Sequence, residues 1–197
     1  MPRVLLGLAG PPGAGKSTVA ATLAQRWVAR GGVAAVVSTD GFHLSGAELA
    51  RRGLADVKGA PETFDAAGFV ALLRRLRAPG PPELAAPGFD LARERTVPAA
   101  VVVPAAADLV VVEGNYLLAD GAYAPVRGLL DRCWYLDLPD AVRVPRLVER
   151  HVAHGRTRAA AEEWVRRSDE ANARLVAATR ARADAVWDVL AERLRPP

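Results

Sequence analysis

The stretch Gly10-Pro11-Pro12-Gly13-Ala14-Gly15-Lys16-Ser17-Thr18 decides the fold that this sequence predicts. It fits the pattern G-x-x-x-x-G-K-S/T, in which backbone N–H groups surround phosphates, the lysine contacts β and γ oxygens and the hydroxyl binds Mg²⁺. An apolar run at residues 4–9 precedes it and suits a buried strand, and apolar residues at helical spacing follow it. A glycine-rich turn with an incidental lysine would lack this context. The residues predicted to bind a nucleoside triphosphate are Gly10, Gly13, Ala14, Gly15, Lys16, Ser17 and Thr18, with Ser17 also a candidate Mg²⁺ ligand.

The composition describes a globular chain of 197 residues, long enough for one domain with its own core. No apolar run approaches the roughly 20 residues of a membrane span, and no stretch reads as a secretory signal peptide. The single cysteine, Cys133, excludes an internal disulfide. These features predict a cytoplasmic protein without a membrane partner. A homodimer stays open as its oligomeric state.

The net charge of +4 comes almost entirely from arginine, since Lys16 and Lys58 are the only lysines. The arginines are spread along the chain, without the dense basic run or aromatic alternation that is typical of nucleic-acid binding. The sequence therefore predicts no nucleic-acid partner. Asparagine is equally scarce, and its two copies, Asn115 and Asn172, both lie in motif-like surroundings.

A second apolar run, residues 33–37, leads into Asp40 and His43. Ligands of open α/β sheets bind at the carboxyl ends of the strands, so both side chains are predicted to lie at the site. An aspartate followed by glycine is also typical of a turn cap. We favour Asp40 as a general base, because phosphate transfer needs a group that accepts the proton of the attacking hydroxyl.

Two irregular segments are predicted to lie on the substrate side of the site. Residues 45–65 are predicted to form an ordered loop over the site, although Asp65 at their end is alternatively the cap of the next helix. Residues 78–104 are predicted to form a short hairpin or a flap that leads back into the sheet. This second segment contains Phe89, Asp90 and Arg93.

A third strand, predicted at residues 108–112, ends in Glu113. A carboxylate at the end of such a strand reaches Mg²⁺, directly or through water, in the Walker-B arrangement. Burying an acid without a partner is costly, which leaves few structural reasons for its presence there. Glu113 is therefore a predicted metal-site residue.

A fourth strand at residues 133–138 precedes a helix with a stripe of three arginines. Arg143, Arg146 and Arg150 are spaced i, i+3 and i+7, which places them along one side of the helix. The stripe suits a solvated face, and it equally suits a lid that clamps a transferred phosphoryl group. Residues 140–160 are the predicted lid, with Arg146 and Arg150 its candidate catalytic side chains.

The remaining segments continue the alternation, with a long helix predicted over residues 159–182 and a fifth strand over residues 184–190. Alternating strands and helices predict the three-layer α/β/α architecture of P-loop NTPases. The expected sheet has about five mostly parallel strands with helices on both faces. Residues 1–197 are predicted to form a single domain.

The ordered set of motifs resembles the P-loop kinase group that contains uridine kinase, phosphoribulokinase and type I pantothenate kinase. The segments that carry this resemblance are residues 10–18, 39–43, 58–65, 112–118 and 146–151. The Asp-Gly-Phe segment and the Lys-Gly-x-Pro-Glu-Thr-Phe-Asp segment are most similar to pantothenate kinases. The Arg-His pair and the Asp-Glu-Ala-Asn-Ala segment at residues 169–173 look more like small bacterial nucleoside/nucleotide or fructose-transport-system kinases.

The resemblance implies an ATP- and Mg²⁺-dependent kinase that phosphorylates a hydroxyl of a small metabolite, such as a nucleoside, a sugar or a pantothenate-like acid. It implies that Asp40 is the base, that Lys16 holds phosphates, and that Arg146 and Arg150 belong to a closing lid. The residues that it implies in acceptor binding are Phe42, His43, Lys58, Phe89, Asp90, Arg93, Glu113, Tyr116 and His151.

Two alternatives remain open at this point. A nucleoside monophosphate kinase needs arginines that grip a second phosphate, and Arg51, Arg52 and Arg93 are available for this. A regulatory NTPase with water as acceptor needs an Asn-Lys-x-Asp segment or a water-orienting glutamine near the second strand. The sequence has no such segment, and its only glutamine, Gln25, lies in the first predicted helix.

Overall fold

The structure is a computed structural model that describes residues 3–80, 82–90, 93 and 95–197. Its strands are β1 (Val4–Ala9), β2 (Ala34–Ser38), β3 (Leu84–Asp90), β4 (Arg95–Val103), β5 (Leu109–Gly114), β6 (Arg132–Asp137), β7 (Ala185–Asp188) and β8 (Arg193–Arg195). Six of them form a central sheet in the order β2-β5-β1-β6-β7-β8, and β3 pairs with β4 in a separate hairpin. All neighbours in the central sheet are parallel except β7 and β8.

The α-helices are α1 (Lys16–Val28), α2 (Gly46–Arg51), α3 (Ala66–Arg77), α4 (Ala124–Leu129), α5 (Asp140–Ala153), α6 (Arg158–Trp164) and α7 (Glu170–Ala177). One π-helical turn, Val165–Asp169, joins α6 to α7. Within the described ranges, no helix is both long and apolar enough to span a membrane.

The central strand β5 shows why the fold has three layers. Every one of its residues is buried, and its side chains alternate between the two faces of the sheet. Val110 and Val112 pack in one core cluster with α3, while Leu109 and Val111 pack in another with α1. Burial on both faces explains the continuous apolar run, as is usual for parallel strands between helical layers.

The predicted three-layer fold with a mostly parallel sheet is confirmed, and the structure adds details that differ from the sequence prediction. The chain turns back after β7 and adds β8 as an antiparallel edge strand. The long helix predicted over residues 159–182 is interrupted by the π-helical turn and ends at Ala177. The hairpin predicted within residues 78–104, by contrast, is present as β3 paired with β4, and the chain leads from it into β5 of the central sheet.

The β3–β4 hairpin packs directly on the turn that carries Asp40. A Cβ atom added to Gly41 would lie 2.2 Å from the carbonyl oxygen of Pro87 in β3, so only glycine allows this approach. The hydroxyl of Thr96 in β4 donates to the carbonyl oxygen of His43 at 3.0 Å. The hairpin and the Asp40 turn therefore hold each other in place.

We expect Gly41→Ala to destabilise the protein by about 1–3 kcal/mol, because the added methyl group meets backbone atoms that cannot rotate away. Urea unfolding measures this change. Gly46→Ala is the matched control, since a Cβ at Gly46 meets nothing within 4 Å and the expected change is within about 0.5 kcal/mol. Equal stability of the two variants would contradict the close packing of the hairpin.

Candidate active site

The phosphate-binding loop lies between β1 and α1, as the sequence predicts. Gly13 and Gly15 have φ angles of 79° and 84°, in a region that favours glycine. A Cβ on Gly13 would also lie 2.7 Å from Cγ of Leu147 in α5. Glycine at this position therefore lets α5 pack against the loop.

Lys16 is buried at the start of α1 and points across the loop. Its Nζ donates to the carbonyl oxygens of Gly10 at 3.0 Å and Pro11 at 3.1 Å, and to Oδ1 of Asn115 at 2.6 Å. Burial lowers the pKa of Lys16, the charges of Glu113 and Asp40 oppose this shift, and Arg150 adds to it. The two carboxylates and Arg150 line the same cleft as Lys16.

Sheet register brings Glu113 to the loop. On β5, Glu113 is in register with Ser38 of β2 on one side and with Leu8 of β1 on the other. Oγ of Ser17 donates to Oε1 of Glu113 at 3.1 Å. Burial raises the pKa of Glu113, and the nearby negative charge of Asp40 raises it further. A hydroxyl beside a carboxylate supplies the oxygen ligands that Mg²⁺ prefers.

The described residues contain no group of three or more His, Cys, Asp or Glu side chains that could hold a metal ion by themselves. Mg²⁺ in kinases is usually held by one or two protein oxygens together with substrate phosphates and water. Ser17 and Glu113 fit that role, because their oxygens already meet beside the phosphate-binding loop. The site suits a metal that arrives with a nucleotide.

We expect Glu113→Gln to stabilise the nucleotide-free protein at neutral pH by about 1 kcal/mol, or a few degrees in Tm. Burial raises the pKa of Glu113, so the folded state binds this proton more tightly than the unfolded state. Wild-type stability should fall as pH rises above the ordinary glutamate pKa, and the variant should lack that part of the slope. Thermal unfolding from pH 5 to pH 8 tests this, with the exposed Glu83→Gln as control. Parallel pH profiles for all three proteins would contradict it.

Asp40 and His43 follow β2 in a short turn whose backbone is tightly bonded. The Asp40 N–H donates to Oγ of Ser38, and the Asp40 carbonyl oxygen accepts from Nδ1 of His43 at 3.0 Å. The His43 ring lies between two aromatic rings, with centroid distances of 4.0 Å to Phe64 and 4.9 Å to Phe89. The turn thus presents a carboxylate next to an aromatic wall.

The segment around Gly59 forms another wall of the site. The Tyr116 hydroxyl donates to the Gly59 carbonyl oxygen at 2.6 Å, and the Gly59 N–H donates to the buried hydroxyl of Thr63. Nζ of Lys58 lies 5.8 Å from the centroid of Phe89. Asp65 caps α3 by accepting from the Gly68 N–H at 2.9 Å, which is the structural alternative raised for it.

The arginine stripe of α5 divides into two roles. Arg146 and Arg150 line a cleft beside the phosphate-binding loop. Arg143 is only 1% exposed, and it bonds the carbonyl oxygen of Pro12, Oδ1 of Asp140 and Oε1 of Glu170. Neither the solvated face nor the lid clamp describes Arg143, which instead ties the loop to two helices.

These elements surround one cleft of about 390 Å³. It brings together many of the predicted site residues: Gly13, Gly15, Lys16, Ser17, Thr18, Asp40, His43, Lys58, Phe89, Glu113, Arg146, Arg150 and His151. Gly10 and Ala14 are buried within the loop itself. Among the residues described, the cleft also gains several that the sequence did not single out as site residues: Gly59, Phe64, Asn115, His154, Arg156, Trp164, Asp169 and Asn172.

Four predicted acceptor residues lie outside the cleft lining. Phe42 packs in the core against Phe69, with ring centroids 5.3 Å apart. Tyr116 lies behind the cleft wall through its bond to Gly59. Asp90 and Arg93 pair with each other at 2.9 Å on the hairpin. The scarcity of asparagine was the signal for Asn115 and Asn172, since both line the cleft.

A second cavity of about 190 Å³ adjoins the loop at Gly15 and Thr18. Thr18, Thr22 and Leu23 of α1 line it, together with Trp187 and Val189 from the end of β7. The Trp187 ring stacks on Trp134 at a 9° interplanar angle. Arg146 lines both cavities and lies between them.

Comparison with known proteins agrees with this geometry. The model of the phosphoribulokinase/uridine kinase family matches residues 5–195. A Schizosaccharomyces pombe protein provisionally named a uridine kinase is 37% identical over 174 residues, covering 85% of this chain and 74% of that protein. Pantothenate kinase from Clavibacter michiganensis is 37% identical over 139 residues, which is 68% of this chain but only 43% of that enzyme.

The solved structures agree. A provisionally named fructose transport system kinase from Silicibacter sp. TM1040 superposes with a TM-score of 0.87 at 40% identity, covering 94% of this chain and 89% of that one. Phosphoribulokinase from Rhodobacter spheroides, at 16% identity, shares the fold with a TM-score of 0.71. The chain therefore belongs to the phosphoribulokinase/uridine kinase family of P-loop small-molecule kinases, as its ordered motifs predict.

Proposed function

We propose that this protein transfers the γ-phosphoryl group of Mg·ATP to a hydroxyl of a small metabolite, with Asp40 as the general base. The observation that carries the proposal is the single cleft that joins the phosphate-binding loop to Asp40 and the aromatic wall. Lys16, Ser17 and Glu113 supply a phosphate and metal site at one end. An acceptor hydroxyl beside Asp40 would then lie next to the phosphoryl group that it attacks.

The two cavities suggest how ATP is oriented. The indole of Trp187 in the lining suits an aromatic base, and Thr18 lines both this second cavity and the main cleft. The nucleotide base would lie there, with the phosphates in the loop and the γ-phosphoryl group pointing into the main cleft. Arg146 lies where the two cavities meet, which suits a contact with the phosphate chain.

In this arrangement each side chain acts by position and charge, which is how kinases accelerate transfer. Asp40 accepts the proton of the attacking hydroxyl. Lys16, Arg146 and Arg150 offset the negative charge that spreads over the transferred group. Mg²⁺ held by Ser17 and Glu113 would neutralise phosphate charge when it is bound. Residues 140–160 serve as the lid, and residues 45–65 with the described part of residues 78–104 form the acceptor side.

The structure gives no support to the alternative of a nucleoside monophosphate kinase, which depended on three arginines that could bind a second phosphate. Arg51 and Arg52 both pair with Glu48, at 2.6 Å and 2.5 Å, and Arg93 pairs with Asp90. Within the part of the chain that the structure describes, none of the three lines the cleft. A second phosphate would have to bind elsewhere.

Phosphate transfer to a mixed acceptor panel tests the proposal. The panel contains nucleosides, ketoses, aldoses, sugar acids, pantothenate and nucleoside monophosphates, each incubated with Mg·ATP and read as a mass gain on the acceptor. We expect one chemical class to gain a single phosphate. ATP hydrolysis without any phosphorylated acceptor would instead favour a regulatory NTPase with water as acceptor.

A further inference from the structure

Three arginines of the cleft form no ion pair within the part of the chain that the structure describes. Arg146, Arg150 and Arg156 all line it, and none forms an ion pair with an acidic residue that the structure describes. Two surface arginines nearby are paired, Arg158 with Glu149 at 2.8 Å and Arg166 with Glu163 at 2.7 Å. Unpaired cations that line a cleft are typical of sites that bind anions.

Arg146 and Arg150 lie on α5, whereas Arg156 lies beyond its end. Arg146 also lines the second cavity, and Arg150 lies one helical turn further, where its charge acts on Lys16. Arg156 follows the end of the helix, and its N–H donates to the carbonyl oxygen of His151 at 3.1 Å. Seven helical steps, a rise of about 10 Å, separate Arg146 from Ala153 at the end of α5, where Arg156 turns back onto the helix. Arg156 therefore belongs to the end of the cleft away from the second cavity.

The guanidinium group of Arg156 is held in place by an aromatic ring. Its Cζ lies 4.3 Å from the centroid of Trp164, and the exposed Arg167 lies 5.7 Å from the same centroid. A planar cation stacked on an indole loses less freedom when it binds an anion. Trp164 thus orients Arg156 toward the cleft that both residues line.

Asn172 adds a polar group at the same end. It is only 5% exposed, lines the cleft, and its side-chain amide has no hydrogen bond to any other described residue. It lies three residues after Asp169, whose Oδ2 bonds Nε2 of His151 at 2.8 Å. The described side-chain atoms that are both buried and unbonded do not include those of Asn172, so its amide is open to the cleft and can donate to a ligand there. The carboxylate of Asp169, which also lines the cleft, is engaged by this hydrogen bond to His151.

We propose that the acceptor carries an anionic group, a phosphate or a carboxylate, and that Arg156 and Asn172 bind it at the end of the cleft away from the nucleotide. This inference rests on the proposed kinase function and specifies its substrate class. A neutral acceptor would leave Arg156 without a counterion in the closed site. An anion would receive a planar, charge-assisted pair of hydrogen bonds from Arg156 and an amide N–H from Asn172.

Matched acceptors test the inference. The sets are ribose with ribose 5-phosphate and ribonate, uridine with uridine 3′-monophosphate, which keeps the 5′-hydroxyl, and pantothenyl alcohol with pantothenate. We expect kcat/KM for the preferred anionic member to exceed that of its neutral analogue at least tenfold, and the first set separates phosphate from carboxylate. Preference for the neutral members would overturn the inference and leave the kinase function intact. No phosphate gain on any acceptor would contradict the kinase function, and the inference with it.

Variants locate the subsite. Arg156→Met should raise KM for the anionic acceptor about tenfold to a hundredfold, the usual cost of losing a charge-assisted hydrogen bond, and change the neutral analogue less than twofold. Asn172→Asp should reduce the same preference by adding a negative charge. KM for ATP should not change, and thermal unfolding checks that each variant folds. Arg158→Met is the matched control, because Arg158 pairs with Glu149 outside the cleft. Equal losses on anionic and neutral acceptors would show that Arg156 has only a structural role.

Discussion

Asp40→Asn is expected to lower kcat for phosphate transfer by about 10²–10⁴-fold, the usual contribution of a general base. Asparagine keeps the shape of the side chain but cannot accept the proton of the attacking hydroxyl. The backbone bonds of Asp40 to Ser38 and His43 do not involve the carboxylate, so the turn should keep its geometry. Single-turnover transfer to the identified acceptor measures the loss, and equilibrium binding of ATP should change little.

Asp65→Asn is the matched control for this experiment. It removes a carboxylate from the same region, but Asp65 acts as the cap of α3 and does not line the cleft. Asparagine is an equally good cap, so activity and stability should stay close to wild type. An Asp40→Asn protein that keeps more than a tenth of its activity would rule out Asp40 as the base.

Arg143→Met is expected to destabilise the protein by about 3 kcal/mol and to raise KM for ATP. Its guanidinium group is buried and bonds Pro12 in the phosphate-binding loop, Asp140 in α5 and Glu170 in α7. Removing one partner of a buried charged pair typically costs about 3–5 kcal/mol, and partial exposure of Glu170 places this case at the lower end. Urea unfolding and ATP titration measure the two effects.

A double-mutant cycle isolates the pair. Arg143→Met with Glu170→Gln should be less unstable than the sum of the single variants, because the second change removes the unpaired carboxylate. The exposed Arg174→Met on α7 controls for the loss of an arginine. Wild-type stability of Arg143→Met would mean that this buried network does not hold the loop.

Much of the fold could be predicted because its signals are local. The loop at residues 10–18 needs only its own glycines and the flanking strand and helix, and buried parallel strands such as β5 appear as apolar runs. The pairing of one strand with another, in contrast, depends on residues far apart in the sequence. Residues 101–103 have the apolar character of a central strand, yet they pair with β3. The edge strand β8 carries two arginines in three residues, so periodicity alone does not indicate it.

The candidate site shows the same division. Lys16, Asp40 and Glu113 could be placed from the sequence because parallel strands end at one edge of a sheet. The different roles of Arg143 and Arg150 could not be predicted from the sequence. The two side chains lie on nearly the same side of α5, and they differ in what packs against each turn of the helix. Arg156 and Trp164 come together only through the packing after the helix, and nothing in their spacing indicates a shared site.

The π-helical turn at Val165–Asp169 determines which of the side chains that follow it in α7 face the cleft. Such a turn holds one residue more than an α-helical turn, so every side chain after it is rotated by about 100° relative to an uninterrupted helix. Asn172 points into the cleft in that shifted phase. Loss of one residue within the turn would carry it off the cleft and bring a neighbour in, with no change at residue 172 itself. Acceptor choice on this scaffold can therefore change by a shift in helical phase, a route that comparing residue types position by position would overlook.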